Sequence, residues 1–505
     1  MASIDTEVDL LVVGGGINGA GIARDAAGRG VATLLVEQGD FGGATSSAST
    51  KLIHGGLRYL EQFAFRLVAE SLAEREVLLR IAPHIVSPLV FVMPHVSTLR
   101  PVWMIRAGLW LYDHIGGRRS LPGSRKVTLR PDGYGAGLKP ELSTGFLYSD
   151  ARVDDARLVI LNLKSAVEHG ARVMPRTRLV RAVRENGRWR ATIENVLAGR
   201  RSEVGARVLV DAAGPWVRSV TESTSGPIDR AGVRLVKGSH IVVPRIHAGS
   251  HAYLLQNTDR RVVFMIPWQD AYTLIGTTDV VVPAMTDAPA IDEEETRYLL
   301  AAVNRYLLEP LSERDVVWSY AGVRPLYDDG KSDPAAVTRD YTLVTDEKGG
   351  AVRLAVFGGK LTTYRRLAET VLDKLSPWLG YRRGPWTHEE ALPGGEFDPA
   401  AREATLQRLC EQYPGLPGEL LHRLFARHGL ALTAVLGDAR GLDDLGTDFG
   451  GGLYEREAEH LVAHEWAMTA DDILWRRTKC GIGMSAAQRE RFAGWLRGAG
   501  KVGAT

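Results

Sequence analysis

The sequence predicts an α/β fold: an N-terminal βαβ unit, a strand-rich middle and a helical C-terminal region. Three observations carry this. The short apolar strand Val8–Val13 runs into a glycine cluster and then into the small-residue helix Ile17–Ala27. Strand-like alternation returns repeatedly between Ala171 and Phe357. Past Pro393-Gly394-Gly395 the pattern turns helical and charged, with no strand signal of comparable strength.

Taken in order, the first helix closes at Gly28 and Gly30, and Val31–Val36 forms a second strand ending in Glu37. Leu67–Arg80 has the spacing of an amphipathic helix, its Glu70–Glu74 repulsion offset by Glu76–Arg80 attraction. Ile81–Leu99 carries no Lys, Arg, Asp or Glu and approaches the roughly 20 apolar residues of a membrane span. Pro83, Pro88 and Pro94 interrupt it, and His84 and His95 are polar, so it reads as buried strand and loop. Further strands are expected at Ala171–Val183, Trp189–Ile193, Arg207–Val210, His240–Val243, Arg261–Ile266, Tyr272–Ile275 and Leu354–Phe357, with a helix at Leu361–Leu375.

The chain has 505 residues, enough for about three domains. A net charge of +2 argues against general nucleic-acid binding, which needs a basic excess. The only cysteines, Cys410 and Cys480, cannot make a disulfide framework, nor a zinc or iron–sulfur site without other ligands, and no metal site is expected. Asp5, Glu7 and Asp9 stand where an export signal would be basic. Together these features point to a reducing cytoplasm.

The segment Gly14-Gly15-Gly16-Ile17-Asn18-Gly19 fits G-x-G-x-x-G. Its context makes it informative, because it follows a strand, opens a helix and is followed by an acid closing the next strand. Gly14 permits the tight turn, Gly16 lets the backbone approach a pyrophosphate, and Gly19 allows helix and strand to pack closely. The helix N-terminus offers unpaired N–H groups to the phosphates. Glu37, 23 residues after Gly14, stands about where a carboxylate meets a ribose hydroxyl. Two later glycine segments, Val210–Pro215 and Phe357–Lys360, each end a strand. Three such loops suit a long extended cofactor and favour FAD over NAD. Gly359-Lys360 is not a phosphate loop of the Walker type, since Leu354 stands where its first glycine belongs.

Several segments resemble the FAD-dependent sn-glycerol-3-phosphate dehydrogenases, the aerobic respiratory enzymes of bacteria and mitochondria. These are Gly42–Leu60 (GGATSSASTKLIHGGLRYL), Lys237–Val243 (KGSHIVV), Gly276–Asp279 (GTTD), Gly322–Leu326 (GVRPL), Thr338–Tyr341 (TRDY), Phe357–Arg365 (FGGKLTTYR) and Leu474–Lys479 (LWRRTK). The resemblance spans about residue 8 to about residue 490. One departure is Ala212-Ala213-Gly214, where the family's usual Ala-Thr-Gly carries a hydroxyl. The resemblance implies a glutathione-reductase-like FAD-binding Rossmann domain from 1–90, 149–230 and 336–391, a β-rich substrate domain from 91–148 and 231–335, and a helical domain from 392–505. It implies oxidation of glycerol 3-phosphate to dihydroxyacetone phosphate by hydride transfer from C2 to the flavin N5. Electrons then pass to a membrane quinone, and the enzyme sits on the inner face of the cytoplasmic membrane without spanning it. A homodimer is allowed for.

On the same resemblance the cofactor is held by Gly14, Gly16, Ile17, Asn18, Gly19 and Glu37 of the first unit, and by Thr45, Ser46, Ser47, Ser49, Lys51, Leu52, His54, Gly55 and Gly56 of the next. Ala213, Gly214 and Trp216, then Gly358, Gly359, Lys360, Leu361 and Thr362, complete the set. A small phosphate dianion with a secondary alcohol needs a cationic pocket and a base. Arg58, Arg324, Arg339 and Lys360 are the candidate cations, each in a motif segment rather than on a polar helical stripe. His240 is the candidate base or electrostatic partner of the alkoxide, with Arg324 and Lys360 beside it as catalytic cations. Tyr59 and Thr278 are candidate orienting donors, and His54 is expected to pack near the flavin rather than react.

Leu99–Tyr112 combines Trp103, Trp110 and Tyr112 with Arg100 and Arg106. It reads either as a buried helix of the substrate domain or as a membrane-interface segment. Three rival functions share the motifs: an oxidase that gives electrons to oxygen, a flavin-binding sensor without turnover, and an amino-acid oxidase. The cation cluster disfavours the last, which needs only one or two cations for a carboxylate.

Overall fold

The computed structural model describes residues 6–498 apart from 97, 118–119, 226–231, 260, 287, 329–339 and 382. β1 (Thr6–Val13), α1 (Ile17–Gly28) and β2 (Thr33–Val36) form the expected βαβ unit at the centre of a first sheet. Its spatial order is Thr342–Asp346, Val352–Phe357, Arg201–Asp211, β1, β2, Arg172–Met174. β1 is parallel to Arg201–Asp211 on one side and to β2 on the other, so all three glycine loops leave the same edge. Helices α1, Asp155–Glu168 and Tyr364–Leu379 cover one face through Ile22, Ala23, Val159, Leu163, Leu367 and Val371. On the other face Trp189 and Ala191 of the antiparallel pair Thr177–Glu185 and Arg188–Asn195 pack on Val8, Leu11 and Val13.

The small residues of α1 are a packing requirement. A methyl group on Gly21 would stand 2.7 Å from the Tyr364 ring, and one on Gly28 would stand 2.0 Å from Trp386. The helix therefore lies closer to its neighbours than any larger side chain permits.

A second sheet runs in the order Val280–Val282, Gly232–Pro244, Tyr272–Gly276, Val262–Trp268, Ala252–Gln256, Val86–Pro94, Thr144–Val153, Leu52–Ile53. Trp318–Asp328 pairs along Gly232–Pro244, which brings Arg324 opposite Val236. The charge-free stretch after Ile81 is a strand in this sheet, as its prolines require. The expected boundaries 90/91 and 148/149 fall inside Val86–Pro94 and Thr144–Val153. These strands pair with each other from Val86–Val153 to Pro94–Gly145 and belong whole to the second sheet. Alternation along a strand reveals which face is buried, not which sheet it joins.

The C-terminal region contains helices Arg402–Gln412, Gly418–His428, Glu455–His464 and Ala486–Gly498, with a short hairpin at Asp448–Gly450 and Leu453–Tyr454. It docks through buried ion pairs rather than an apolar face alone. Arg477, fully buried, donates from two nitrogens to the two oxygens of Asp40 at 2.7 and 2.8 Å. Asp472 accepts from Arg176 at 2.8 Å, Lys479 pairs with Asp154, and Arg157 pairs with Glu465. Asp472, Arg476 and Arg477 share one wide turn, in which Thr478 N–H donates to the Ile473 carbonyl five residues back.

Arg476 also pairs with Asp40, so removing Arg477 leaves that buried carboxylate with one guanidinium instead of two. Arg477→Ala is expected to cost about 1.5–3 kcal/mol for the lost charged hydrogen bonds, read as a lowered urea midpoint. Arg497→Ala, at an exposed arginine, serves as the unchanged control.

Candidate active site

A cavity of about 1140 Å³ is lined from both sheets. That exceeds the roughly 300–1,000 Å³ of ordinary small-molecule pockets and suits a long cofactor with a substrate beside it. One end is the turn between β1 and α1. Gly14 has φ +111°, and a methyl group there would meet the Ala212 carbonyl oxygen at 2.5 Å. A methyl group on Gly19 would stand 1.9 Å from the Gly14 oxygen. The turn can take this shape only with glycine at both points.

The Glu37 carboxylate braces the turn, accepting from Gly15 N–H and Gly39 N–H, each at 2.7 Å. Burial pushes its pKa up, and the two N–H groups oppose that. Ser46 Oγ accepts from Ile17 N–H at 3.0 Å, at the first turn of α1. The Asn18 amide donates to the Gly358 carbonyl at 3.1 Å, joining the first glycine loop to the third. Thr45 donates to the Val323 carbonyl at 2.6 Å, joining the motif after β2 to the strand that carries Arg324. A helix N-terminus, an acid and three glycine loops along one cavity fit an extended dinucleotide, and the chemistry of this donor set fits FAD.

The cavity takes in most of the expected cofactor residues, but not Gly19, Ser47, Lys51, Gly55 or the substrate candidate Thr278. Gly19 acts through packing. Lys51 is buried and donates to both oxygens of Asp155 at 3.0 and 2.9 Å and to the Ser47 carbonyl at 3.0 Å, so its charge is spent inside the protein. Ser49 shares Asp155 at 2.8 Å. Gly55 N–H donates to the Tyr112 hydroxyl at 2.8 Å beneath Leu72. Thr278 donates to Glu295 at 2.6 Å and accepts from Ser239 N–H at 2.9 Å, which turns it into the second sheet. Arg339 lies outside the described residues.

At the other end His240 is 2% exposed. Its ring stacks on Tyr320 at 4.8 Å and 14°, and Nε2 lies 3.0 Å from Thr50 Oγ1. Nδ1 makes no hydrogen bond among the described residues. Burial, with the positive charges of Lys51 and Arg324, holds the imidazole pKa well below its ordinary value, so the ring is neutral at pH 7. A methyl group on Gly276 would stand 2.1 Å from His240 Cδ2, and one on Gly238 would stand 2.9 Å from Arg324 Nη2. Arg324 donates to Asp279 at 2.5 Å and to the Thr278 carbonyl at 3.2 Å, and Arg58 lines the same cavity. Lys360 Nζ sits 3.9 Å over the Tyr59 ring. Sequence reasoning missed Thr50, Asp279 and Tyr320. The first two lie inside quoted motifs and were within reach; Tyr320 enters only through strand pairing opposite His240.

Asp211, fully buried at the end of its strand, accepts from Ala213 N–H at 3.1 Å. Burial raises its pKa to about 8, against the opposing effects of that N–H and of Arg353. It is a neutral acid under the second glycine loop at pH 7.

Comparison with known proteins follows the same lines. The family model described as FAD dependent oxidoreductase matches residues 9–365, and that of the C-terminal domain of alpha-glycerophosphate oxidase matches residues 385–493. The aerobic glycerol-3-phosphate dehydrogenase of Escherichia coli (strain K12) is 51% identical over 489 residues, covering 97% of each chain. D-erythritol 1-phosphate dehydrogenase of Brucella abortus (strain 2308) is 49% identical over 494 residues, covering 98% of each. The structure of glycerol-3-phosphate dehydrogenase from Bacillus halodurans complexed with FAD superimposes with a TM-score of 0.74 at 26% identity, covering 98% of this chain and 94% of that one.

The protonation of Asp211 gives a test of the loop. The unfolded chain sheds this proton above the ordinary carboxylate range, while the folded carboxyl keeps it to about 8. Its burial therefore lowers stability progressively as pH rises across that window. Asp211→Asn is expected to be at least as stable as the parent at pH 8, with the advantage shrinking toward pH 4, measured as urea midpoints.

Proposed function

We propose that this chain, which belongs to the family of FAD-dependent glycerol-3-phosphate dehydrogenases, oxidises sn-glycerol 3-phosphate to dihydroxyacetone phosphate and delivers the electrons to a membrane quinone. The observation that carries this reading is one cavity lined by a dinucleotide cradle, by a buried neutral histidine with Arg324 near it, and by Arg58 and Lys360.

Bound FAD supplies the two-electron acceptor. His240 serves as base or electrostatic partner for the C2 hydroxyl, its Nε2 held by Thr50 and its ring plane by Tyr320. Burial and Arg324 disfavour imidazolium, whereas Arg324, which lines the cavity, favours a developing alkoxide, so proton removal is helped at the substrate rather than at the base. Arg324, anchored by Asp279, and Arg58 and Lys360 bind the phosphate.

The cavity lining includes the apolar Met93, Tyr148, Leu254 and Phe264 as well as Trp103, Met104 and Leu111 of helix Val102–Ile115, which supports access for a quinone. The buried-helix reading of this segment does not hold, because only Ile105, Leu109 and Tyr112 are buried. Trp103 is 68% exposed and Trp110 62%, and Met104 and Phe63, which line the cavity with Trp103, are also exposed. These exposed apolar side chains favour docking on a lipid surface by this face. Arg106 is exposed, whereas Arg100 pairs with Glu61 at 2.6 Å. Among the described residues no helix is long and apolar enough to cross a membrane.

Anaerobic addition of glycerol 3-phosphate should bleach the bound flavin, while glycerol and glycine should not. D-erythritol 1-phosphate is the informative fourth arm, given the relative that carries its name. Bleaching by glycine alone would sink the reading, and peroxide formation faster than quinone reduction would favour the oxidase. Arg324→Ala should keep its flavin and lose about 1.5–3 kcal/mol of transition-state binding, roughly tenfold to over a hundredfold in kcat/KM.

The docking surface is tested separately. The parent should pellet with anionic-lipid vesicles, less so at high salt, and Trp103→Ser with Trp110→Ser should stay in the supernatant. Equal quinone reduction with and without lipid would point to a soluble acceptor.

A further inference from the structure

Outside the active-site cavity, a group of buried polar atoms without hydrogen bonds among the described residues lies where the C-terminal domain meets helix Asp155–Glu168. His428 closes helix Gly418–His428, and His460 and Glu465 lie on and just past helix Glu455–His464. One ligand atom from each of these residues lies within 4.8 Å of the others. We propose that His428, His460 and Glu465 form a binding site for a divalent cation of the zinc class.

The hydrogen bonds around the group leave the right atoms available. His428 Nε2 lies 3.0 Å from Glu457 Oε1, so this nitrogen carries the proton and donates. The Nδ1 lone pair then faces Glu465 Oε1 at 3.9 Å. A carboxylate behind the outer nitrogen is how metal-bound histidines are commonly oriented. Glu465 is fully buried, and Arg157 engages its other oxygen, Oε2. Oε1 itself makes no hydrogen bond among the described residues, and neither does His460 Nε2. The Lys164 ammonium stands 3.9 Å from Oε1, beyond hydrogen-bond reach. His84 packs against Gly429, with both its ring nitrogens also lacking a hydrogen bond among the described residues.

The buried Glu465 Oε1, without a hydrogen bond among the described residues, and the two imidazole nitrogens lie within 4.8 Å of one another, close enough for one cation to draw all three onto it. Two imidazoles and one carboxylate, with no thiolate, select zinc and its first-row neighbours over calcium or magnesium. His460 is half-buried and its ring lies 4.8 Å from that of exposed His464, so the ion has a route from solvent. Bound there, it would tie His428 and Glu465, and through Arg157 the first domain, into one unit. The absence of a metal site expected from the two cysteines does not bear on this cluster, whose imidazoles lie 32 residues apart.

The test uses the FAD-loaded full chain, stripped with a chelator, desalted and titrated with zinc. One equivalent should bind with a dissociation constant in the micromolar range or below, with a rise in melting temperature. His460→Ala and His460→Asn should each weaken that equivalent at least tenfold and abolish the thermal shift, while retaining flavin. His464→Ala should bind like the parent. The absence of a saturable equivalent below about 100 µM zinc, or equal binding by the parent and both His460 variants, overturns the proposal.

Discussion

The distance between the Gly14 carbonyl and Gly19, too short for a methyl group at 1.9 Å, is the constraint on which the rest of the cofactor site depends. It fixes the angle at which α1 leaves β1, and so directs the N-terminus of α1 into the cavity. The same turn touches Ala212 and bonds through Asn18 to Gly358, so the three glycine loops are held as one surface. Glu37 completes it by accepting two backbone N–H groups that would otherwise be left unpaired in a buried turn.

Charge is handled differently on the two sides of the cavity. Lys51 and Asp155 form a buried pair that Ser49 joins, and this set holds the chain of a motif whose other residues line the cavity. Arg477 with Asp40, and Arg157 with Glu465, dock the C-terminal domain in the same way. Such pairs cost desolvation and add little net stability over apolar contacts, but they tolerate only one register. Near His240 the balance shifts, because burial, with Lys51 and Arg324 adding to it, keeps the ring neutral while Arg324 lines the cavity that would take an anionic substrate.

Residue type and local spacing made part of the site legible. Gly14, Gly16 and Glu37 were readable because a phosphate cradle needs glycine and an acid at set offsets within one βαβ unit. His240, Arg58, Arg324 and Lys360 were readable only through resemblance, and the cavity gathers all four. Thr278 and Lys51 belong to equally characteristic segments, yet their side chains turn away to Glu295 and Asp155. A motif marks that a segment matters; which side of the strand each residue faces is decided by the partner strand.

The α/β class, the N-terminal dinucleotide unit, the strand-rich middle and the helical end are legible along the chain. Each of these follows from contacts within about ten to thirty residues: hydrophobic period, glycine and proline placement, and the reach of one crossover. The rest arises from long-range packing. Pairing of Trp318–Asp328 with Gly232–Pro244 set Tyr320 on His240, and the second sheet claimed strands on both sides of the expected boundaries. Docking of the C-terminal helices brought His428 and Glu465 to Arg157. These are meetings of residues tens to hundreds of positions apart, and no local pattern encodes a contact whose energy exists only once both partners have left water.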